Sequence, residues 1–256
     1  RIIDYDLNRS FALSRLRDPD GAGYEYSRAG YLNALLGPKP DTGVDLLIDL
    51  HSTTSNMGCT LIVSGKDKFS VRAAAYAQYR LRQKLPESVP VHIMYEGMLR
   101  SKQPYLTSVG QHGLMIECGP VPWGVVRYDT AEMMEDALHY LLDYAHLHNT
   151  TTISPAQPEV EVYASLHVKI PLPADESGRP LAVFHENLQD KDWKPLRKGD
   201  PMFLAMDGSV ISYDGEHGET VYPIFCNEAA YALKESGLGF ALCSKTKVAL
   251  WNEEGE

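Results

Sequence analysis

Helix-like and strand-like patterns alternate along the first 150 residues of the chain. Three segments carry apolar side chains at intervals of three and four, which predicts helices at residues 24–36, 70–84 and 130–146. Short apolar runs between them predict buried strands at residues 44–50, 59–63, 89–95 and 114–116. Strands that alternate with helices favour an α/β fold whose sheet has parallel strands.

The pattern changes at residues 149–155, where Thr, Ser and Pro give a linker-like stretch. Beyond it, short strand-like runs are broken by Pro, Gly and Asp. These runs lie at residues 160–168, 181–184, 202–206, 210–213 and 247–251. We therefore predict an α/β domain over residues 1–150 and a smaller β-rich C-terminal domain over residues 156–256.

The net charge and the cysteine positions of the 256 residues indicate which classes of binding partner and which redox state to expect. The net charge of −10 argues against nucleic acid and against anionic membrane surfaces as partners. The four cysteines are scattered among apolar neighbours and form no Cys-x-x-Cys pair. This arrangement favours buried, reduced thiols in a cytoplasmic protein, with a disulfide framework or a cysteine zinc site as the alternatives.

Two of the predicted strands end on chemically capable side chains, His51 and Glu117. Ligands bind beyond the carboxyl ends of strands in open parallel sheets, so both side chains are candidates for one site. A neutral imidazole can bind zinc, and a carboxylate beside it can move a proton. Asp49 shares the strand face of His51 and could orient it. The alternatives are a structural histidine, a loop-capping Asp49, and a Glu117 that pairs with an arginine.

The chain also opens on a dense group of polar residues that includes Arg1, Asp6, Asn8 and Arg9. An arginine beside an asparagine suits a carboxylate ligand, because the guanidinium offers a rigid pair of donors and the amide adds a third. The same residues could instead form a solvated charged turn in which Asp6 neutralises Arg9.

Five segments, in matching order and spacing, resemble signature segments of the aspartoacylase/aminoacylase-3 family. They are residues 4–9, 49–58, 116–120, 187–196 and 227–231. The resemblance implies a zinc-carboxypeptidase-like catalytic domain, with a mainly parallel or mixed sheet and flanking helices, and a C-terminal β-rich domain that partly covers the site. It also implies zinc-dependent hydrolysis of the amide bond of N-acyl-L-amino acids such as N-acetylaspartate, releasing a carboxylate and a free amino acid.

The same resemblance assigns roles to residues of this sequence. It implies that His51 is a zinc ligand, that Glu117 is the general base, and that Arg1 stabilises the developing oxyanion. Asn8 and Arg9 match the pair that holds the substrate carboxylate, whereas Tyr231 matches a tyrosine that closes on the substrate. The implied partner is a small N-acyl amino acid, and a homo-oligomer remains open.

The sequence departs from the family in its metal ligands. The family takes two further zinc ligands from a His-x-x-Glu motif, and none of the nine histidines here has Glu three residues later. We expect one Zn²⁺ per protein, with those two ligands supplied by an N-terminal segment that precedes Arg1. The alternative is a metal-free, inactive relative that binds carboxylates.

A second departure concerns substrate preference. Aspartoacylase grips the side-chain carboxylate of its substrate with a Tyr and an Arg, and ungapped counting back from Glu117 places Gln103 and Thr107 at those positions. A local shift would bring Arg100, Lys102 or Tyr105 there instead. Hydrolysis of N-acyl amino acids in general is therefore a better-supported prediction than hydrolysis of N-acetylaspartate in particular.

Overall fold

The computed structural model describes residues 3–17, 23–41, 43–151, 158–233 and 237–250. The helices are α1 (Leu13–Leu16), α2 (Tyr24–Leu36), α3 (Lys68–Lys84) and α4 (Tyr128–Thr150), and short 3-10 turns lie at Leu7–Arg9, Arg100–Lys102, Leu106–Val109 and Ala229–Leu233. The strands are β1 (Leu46–Ser52), β2 (Gly58–Val63), β3 (Val91–Tyr95), β4 (His112–Gly119), β5 (Glu159–Pro171), β6 (Ala182–Phe184), β7 (Leu196–Arg197), β8 (Pro201–Ala205), β9 (Val210–Ser212), β10 (Thr220–Ile224) and β11 (Gly239–Ala249).

Within these ranges, eight strands form one mixed sheet in the order β1-β4-β2-β3-β5-β11-β10-β7. β1 runs parallel to β4, and β2 runs parallel to β3, whereas β4 and β2 are antiparallel. A second sheet has the order β6-β8-β9. The predicted α/β class, with a mixed sheet, flanking helices and a β-rich C-terminal part, is confirmed. The large sheet continues through β5, β11, β10 and β7, beyond the domain boundary that the sequence predicts.

The two faces of the large sheet bury different sets of side chains, because successive residues of a strand point to opposite faces. On one face, Leu61 and Ile116 pack against α3 and α4. On the other face, Ile62, Met94 and Met115 form a cluster with side chains of the β-rich part. Each fully buried Leu or Ile contributes about 1.5–3 kcal/mol to folding. The second face carries the candidate site.

The helix α3 shows how local sequence fixes the elements behind the site. Asp67 caps its first turn by accepting a hydrogen bond from the Ser70 amide at 2.8 Å. A small-residue stripe that includes Ala73 and Ala77 is fully buried, so the helix packs closely against the sheet. This helix occupies the sheet face opposite the candidate site.

Some local predictions differ from the structure. The strand predicted at 247–251 begins much earlier, because β11 starts at Gly239. β7 and β10 have no counterpart in the prediction, since one is very short and the other contains Pro223. The spacing of Asp129 and Glu132 predicts a helix cap at Asp129, but α4 begins at Tyr128 and the Asp129 carboxylate binds the Arg127 guanidinium.

All four cysteines carry free, buried thiols, as their apolar neighbours predict. Cys59 and Cys118 face each other across β2 and β4, with 4.0 Å between their sulfur atoms. No helix within the described ranges is both long and apolar enough to cross a membrane.

Candidate active site

A single cavity on the second face of the sheet collects most of the predicted site residues. Its walls include Asn8, Arg9, His51, Glu117 and Tyr231. These residues come from the N-terminal turn, from two strands and from the β-rich part, so they are far apart in sequence. Arg1 lies outside the described residues.

His51 and Glu117 are neighbours in the sheet. They are paired positions of the parallel strands β1 and β4, near the carboxyl end of each strand. Glu117 is only 8% exposed. A carboxylate in such a place is costly to bury unless it has polar partners or a chemical role. The two side chains therefore lie side by side at one edge of the sheet, as the positions of the predicted strand ends indicate.

Asp49 holds the imidazole of His51. Strand alternation places both side chains on one face of β1, and Oδ2 of Asp49 lies 2.8 Å from Nε2 of His51. A carboxylate there fixes the ring orientation and favours the tautomer whose proton is on Nε2. In that tautomer, Nδ1 is the nitrogen with a lone pair that can bind a metal.

The Asn8 side chain supports this pair. Its Nδ2 atom donates to Oδ2 of Asp49 at 3.1 Å and lies 3.2 Å from Nε2 of His51, and its Oδ1 accepts from the Leu106 amide at 2.8 Å. Asp6 fixes the turn by accepting from the Asn8 amide at 3.0 Å. Asn8 thus positions Asp49 and His51, and its predicted contact with a substrate carboxylate would require an exchange of partners.

Arg9 lies at the rim of the cavity and is exposed. Its guanidinium donates to the Asn8 carbonyl at 2.9 Å and lies 4.8 Å from the centre of the Tyr105 ring. An arginine stacked on an aromatic ring keeps its remaining donors in a fixed plane. This placement is compatible with the predicted role of Arg9 in holding an anionic group.

Tyr231 reaches the cavity from the 3-10 turn Ala229–Leu233, and Glu228 fixes that turn. The Glu228 carboxylate is 7% exposed. It accepts hydrogen bonds from the Thr54 amide at 2.8 Å and from the Thr53 hydroxyl, and its other oxygen accepts from the Ala230 amide at 2.9 Å. The sequence alone does not indicate this role of Glu228, because Thr53 and Thr54 are more than 170 residues away.

Two more signature segments bind each other beside the cavity. Asp192 accepts from the Asn56 amide at 3.2 Å and from the Cys226 amide at 3.0 Å. The Trp193 indole donates to the Met57 carbonyl at 3.2 Å. These contacts join the loop after β1 to the β-rich part. The segments that carry the family resemblance therefore form one connected interface.

Glu96 and Tyr105 line the cavity at its other end. The Tyr105 hydroxyl donates to Oε1 of Glu96 at 3.0 Å. Glu96 directly follows β3, which runs antiparallel to β4, so Glu96 and Glu117 lie at opposite ends of the cavity. In the sequence, Tyr105 is only one of three alternative residues for substrate preference.

The two positions counted back from Glu117 do not reach this cavity. Gln103 and Thr107 are buried and line a separate cavity with Gly65 and Asp67. Of the three alternatives, Tyr105 lies in the site cavity, whereas Arg100 binds the Pro40 carbonyl and Lys102 is exposed. The aspartate-binding pair of aspartoacylase thus has no counterpart at those positions.

Burial keeps both cavity tyrosines in the protonated form. Burial raises the pKa of Tyr105, and the nearby Glu96 carboxylate raises this pKa further. Burial likewise raises the pKa of Tyr231, with a smaller opposing effect from Arg9. Tyrosine hydroxyls are donors at neutral pH in any case, and the raised pKa keeps both protonated at alkaline pH as well.

The residues present offer one metal ligand in a suitable setting, the His51 imidazole that Asp49 orients. Within the described ranges, no group of three or more His, Cys, Asp or Glu side chains could hold a metal ion. A catalytic zinc site needs three protein ligands. His51 fits such a site in part, and further ligands would have to come from outside the described ranges.

Comparison with known proteins gives consistent matches over nearly the whole chain. The family described as succinylglutamate desuccinylase/aspartoacylase catalytic domain matches residues 1–145, and the AstE/AspA barrel-sandwich hybrid domain matches residues 158–244. Aspartoacylase of Mus musculus is 39% identical over 98% of this chain and 77% of its own length. The N-acyl-aromatic-L-amino acid amidohydrolase (carboxylate-forming) B of Danio rerio is 38% identical over 98% of this chain and 78% of its own length.

A solved structure agrees with these matches. The crystal structure of murine aminoacylase 3 superimposes with a TM-score of 0.84 at 34% identity, over 98% of this chain and 80% of that chain. The agreement covers the mixed sheet and the β-rich part that carries Tyr231. The chain therefore belongs to the succinylglutamate desuccinylase/aspartoacylase family.

Proposed function

We propose that this protein hydrolyses the amide bond of N-acyl-L-amino acids and releases a carboxylate and a free amino acid. The observation that carries the proposal is the pairing of His51 and Glu117 in one cavity that Arg9 and Tyr231 also line. Relatives named aspartoacylase and N-acyl-aromatic-L-amino acid amidohydrolase support the same chemistry. The cavity thus combines a metal-ligand candidate, a carboxylate and an anion-binding group.

We further propose that one zinc ion takes part and that His51 is one of its ligands. When bound, zinc would polarise the scissile carbonyl and make water more acidic. The contact between Asp49 and Nε2 of His51 supports this assignment, because metal-binding histidines commonly donate their second ring N–H to a carboxylate.

Glu117 is the proposed general base. Its carboxylate takes a proton from the attacking water and later gives this proton to the leaving nitrogen. The burial of Glu117 suits this work, because it screens the carboxylate from bulk water at the strand end that faces the cavity. Proton transfer by a positioned side chain contributes roughly 10²–10⁴-fold to a rate.

The remaining residues would bind and enclose the substrate. The Arg9 guanidinium binds the substrate carboxylate from the cavity rim. The Asn8 amide donates to the same carboxylate after it exchanges its hydrogen bond with Asp49 for one with the substrate. The protonated Tyr231 hydroxyl donates a hydrogen bond from the side of the β-rich part. Arg1, as the oxyanion-stabilising group, completes the proposal.

The test compares the full-length protein with its Glu117→Gln variant on N-acetyl-L-aspartate and on N-acetyl-L-phenylalanine. We expect turnover of at least one substrate and a loss of at least about 100-fold in kcat for the variant. Elemental analysis should find the same zinc content in both proteins. The exposed Glu176 provides a matched control, since Glu176→Gln removes one carboxylate without touching the cavity.

The possible outcomes separate the proposal from its alternative. A zinc-containing protein that leaves both substrates intact would contradict the proposed hydrolysis. Calorimetric binding of an N-acyl amino acid by a zinc-free protein without turnover would instead support the carboxylate-binding relative.

A further inference from the structure

The floor of the cavity runs from Glu117 at one end to Glu96 at the other. Ile62, Met94 and Met115 form this floor, and they are paired positions of β2, β3 and β4 on one face of the sheet. The floor is apolar between the two carboxylates. A substrate whose scissile bond lies at Glu117 can therefore extend an aliphatic or aromatic side chain over this surface.

The strand register gives the length of this floor. Glu117 pairs with Thr60 of β2, and Tyr95, which precedes Glu96, pairs with Val63. Glu96 thus lies about four residues farther along the strand direction, roughly 13 Å at about 3.3 Å per residue, and two strands across the sheet, roughly 10 Å at about 4.8 Å per strand. A long side chain is needed to approach Glu96 from a scissile bond held near Glu117.

Glu96 offers an acceptor at the far end. Oε1 accepts from the Tyr105 hydroxyl at 3.0 Å. Oε2 is buried and has no hydrogen-bond partner among the described residues. A buried carboxylate oxygen without a donor is costly, so a donor from a ligand gains more here than on a solvated surface.

The charges around the cavity favour a donor over an acceptor at this position. Of the described residues that line the cavity, Arg9 alone has a permanent positive charge, whereas Asp6, Glu96, Glu117 and Glu228 have carboxyl groups. Arg9 lies at the rim and is assigned to the substrate carboxylate. Arg9 stacks on the Tyr105 ring that binds Glu96, so an acidic side chain there would compete with the substrate carboxylate for this cation and would also face the Glu96 carboxylate.

We propose that Glu96 determines side-chain specificity, selecting N-acyl amino acids whose long side chain ends in a hydrogen-bond donor, above all a cation, and rejecting acidic ones. Tyr105 positions the Glu96 carboxylate through its hydroxyl and contributes an aromatic wall. This inference rests on the proposed binding of N-acyl amino acids in the cavity, and it adds the class of side chain that the cavity takes.

The experiment measures binding by calorimetry, which needs no turnover. The ligands are Nα-acetyl-L-lysine, Nα-acetyl-L-norleucine, which has the same aliphatic stem without the amine, and Nα-acetyl-L-2-aminoadipate, which ends in a carboxylate. They are tested on the full-length protein, on Glu96→Gln and on the control Glu176→Gln, which removes an exposed carboxylate elsewhere.

We expect the wild type to bind the lysine compound about tenfold or more tightly than the norleucine compound, and the acidic compound most weakly. Glu96→Gln should reduce the lysine preference about tenfold and leave norleucine binding within about twofold, because glutamine keeps an acceptor for Tyr105. Glu176→Gln should leave the lysine preference unchanged, which excludes an effect of net charge.

Two results would overturn the inference. The first is a wild type that binds lysine and norleucine compounds equally, and the second is a lysine preference that survives Glu96→Gln. If the wild type binds and hydrolyses the norleucine compound but shows no preference for the lysine compound, this inference is wrong. The proposed function is unaffected by that result. If none of the three compounds binds, this inference is also overturned, and turnover of N-acetyl-L-aspartate or N-acetyl-L-phenylalanine decides the proposed function separately.

Discussion

Oδ2 of Asp49 lies 2.8 Å from Nε2 of His51, two residues farther along β1 on the same face. Alternation along a strand makes this meeting a direct consequence of the spacing. The contact holds the imidazole in one orientation and one tautomer, and Asn8 reinforces it through its bond to the same carboxylate oxygen. The two residues thus form a unit in which Asp49 orients His51, the side chain proposed to be a zinc ligand.

Asp49→Asn should weaken zinc binding by about 10–100-fold, because the neutral amide orients and polarises the imidazole less strongly. Zinc retained by the full-length protein would be measured after dialysis against a graded series of chelator concentrations. Asp45→Asn, on an exposed residue just before β1, is the control and should retain zinc like the wild type. Equal retention by Asp49→Asn would show that this contact does not tune a metal ligand.

Glu228 joins the turn that carries Tyr231 to the loop that follows His51. Its carboxylate accepts from Thr53 and Thr54 on one side and from the Ala230 amide on the other. Glu228→Gln places an amide N–H₂ against donors, which leaves at least one of them without an acceptor. We expect the free energy of unfolding to fall by about 1–3 kcal/mol and kcat/KM to fall about tenfold or more.

A double-mutant cycle with Thr53→Val tests the mechanism of that loss. If Glu228 acts through Thr53, the two substitutions should be strongly non-additive in urea unfolding. Glu219→Gln, on an exposed residue of the same part of the chain, should be neutral. Additive effects of Glu228→Gln and Thr53→Val would refute the connection.

The sequence predicts the helices and strands of the α/β part well, because their apolar periodicity is strong. It also predicts the Asp49–His51 contact, since spacing within one strand is enough. The antiparallel placement of β4 beside β2 could not be predicted, because strand order depends on tertiary packing rather than on local pattern. The early start of β11 could not be predicted, because Lys and Thr residues interrupt the apolar pattern of this strand.

Some residues of the candidate site could likewise be predicted from the sequence, and others could not. His51 and Glu117 follow from the rule about strand ends, whereas Tyr231 followed only from the family resemblance. Glu228 was missed because a buried carboxylate is informative only when its distant partners are known. Glu96 was missed although it follows a predicted strand, because its chemistry depends on the Tyr105 contact.

Asp192 should make stability depend on pH in the acid range. Burial raises its pKa from 3.8 to about 6, partly offset by hydrogen bonds from the Cys226 and Asn56 amides. The folded state therefore binds the proton more readily than the unfolded state. The stability that Asp192 contributes is fully present below pH 4 and is lost as the pH rises through about 6, by up to about 3 kcal/mol.

The measurement is urea unfolding of the wild type and Asp192→Asn at several pH values between 4 and 7. The wild type should lose stability relative to the variant as the pH rises, since asparagine does not titrate. Asp143→Asn, on an exposed carboxylate, should run parallel to the wild type. A constant difference between wild type and Asp192→Asn across this range would contradict the raised pKa.

Lys39 is a buried lysine that ties together two segments next to the site. Its ammonium is in a side chain only 5% exposed, and it donates to the carbonyls of Phe11 and Gln103 and to the Ser108 hydroxyl. These partners flank Arg9 on one segment and Tyr105 on the other. Lys39→Met leaves the carbonyls without their donor, so the free energy of unfolding at pH 7 should fall by about 1–3 kcal/mol.

The pH dependence of that loss identifies its cause. Burial, with a smaller effect from Arg100, lowers the pKa of Lys39 from 10.5 to about 8. Between these values the unfolded state binds more protons than the folded state, so Lys39 increases stability as the pH rises from 8 to 10.5. In urea unfolding over that pH range, the free energy of unfolding of the wild type should rise relative to that of Lys39→Met. The difference between the wild type and Lys68→Met, a substitution of an exposed residue, should stay constant. If the wild type and Lys39→Met change in parallel, the ammonium is not destabilised by burial and the segments are held by other contacts.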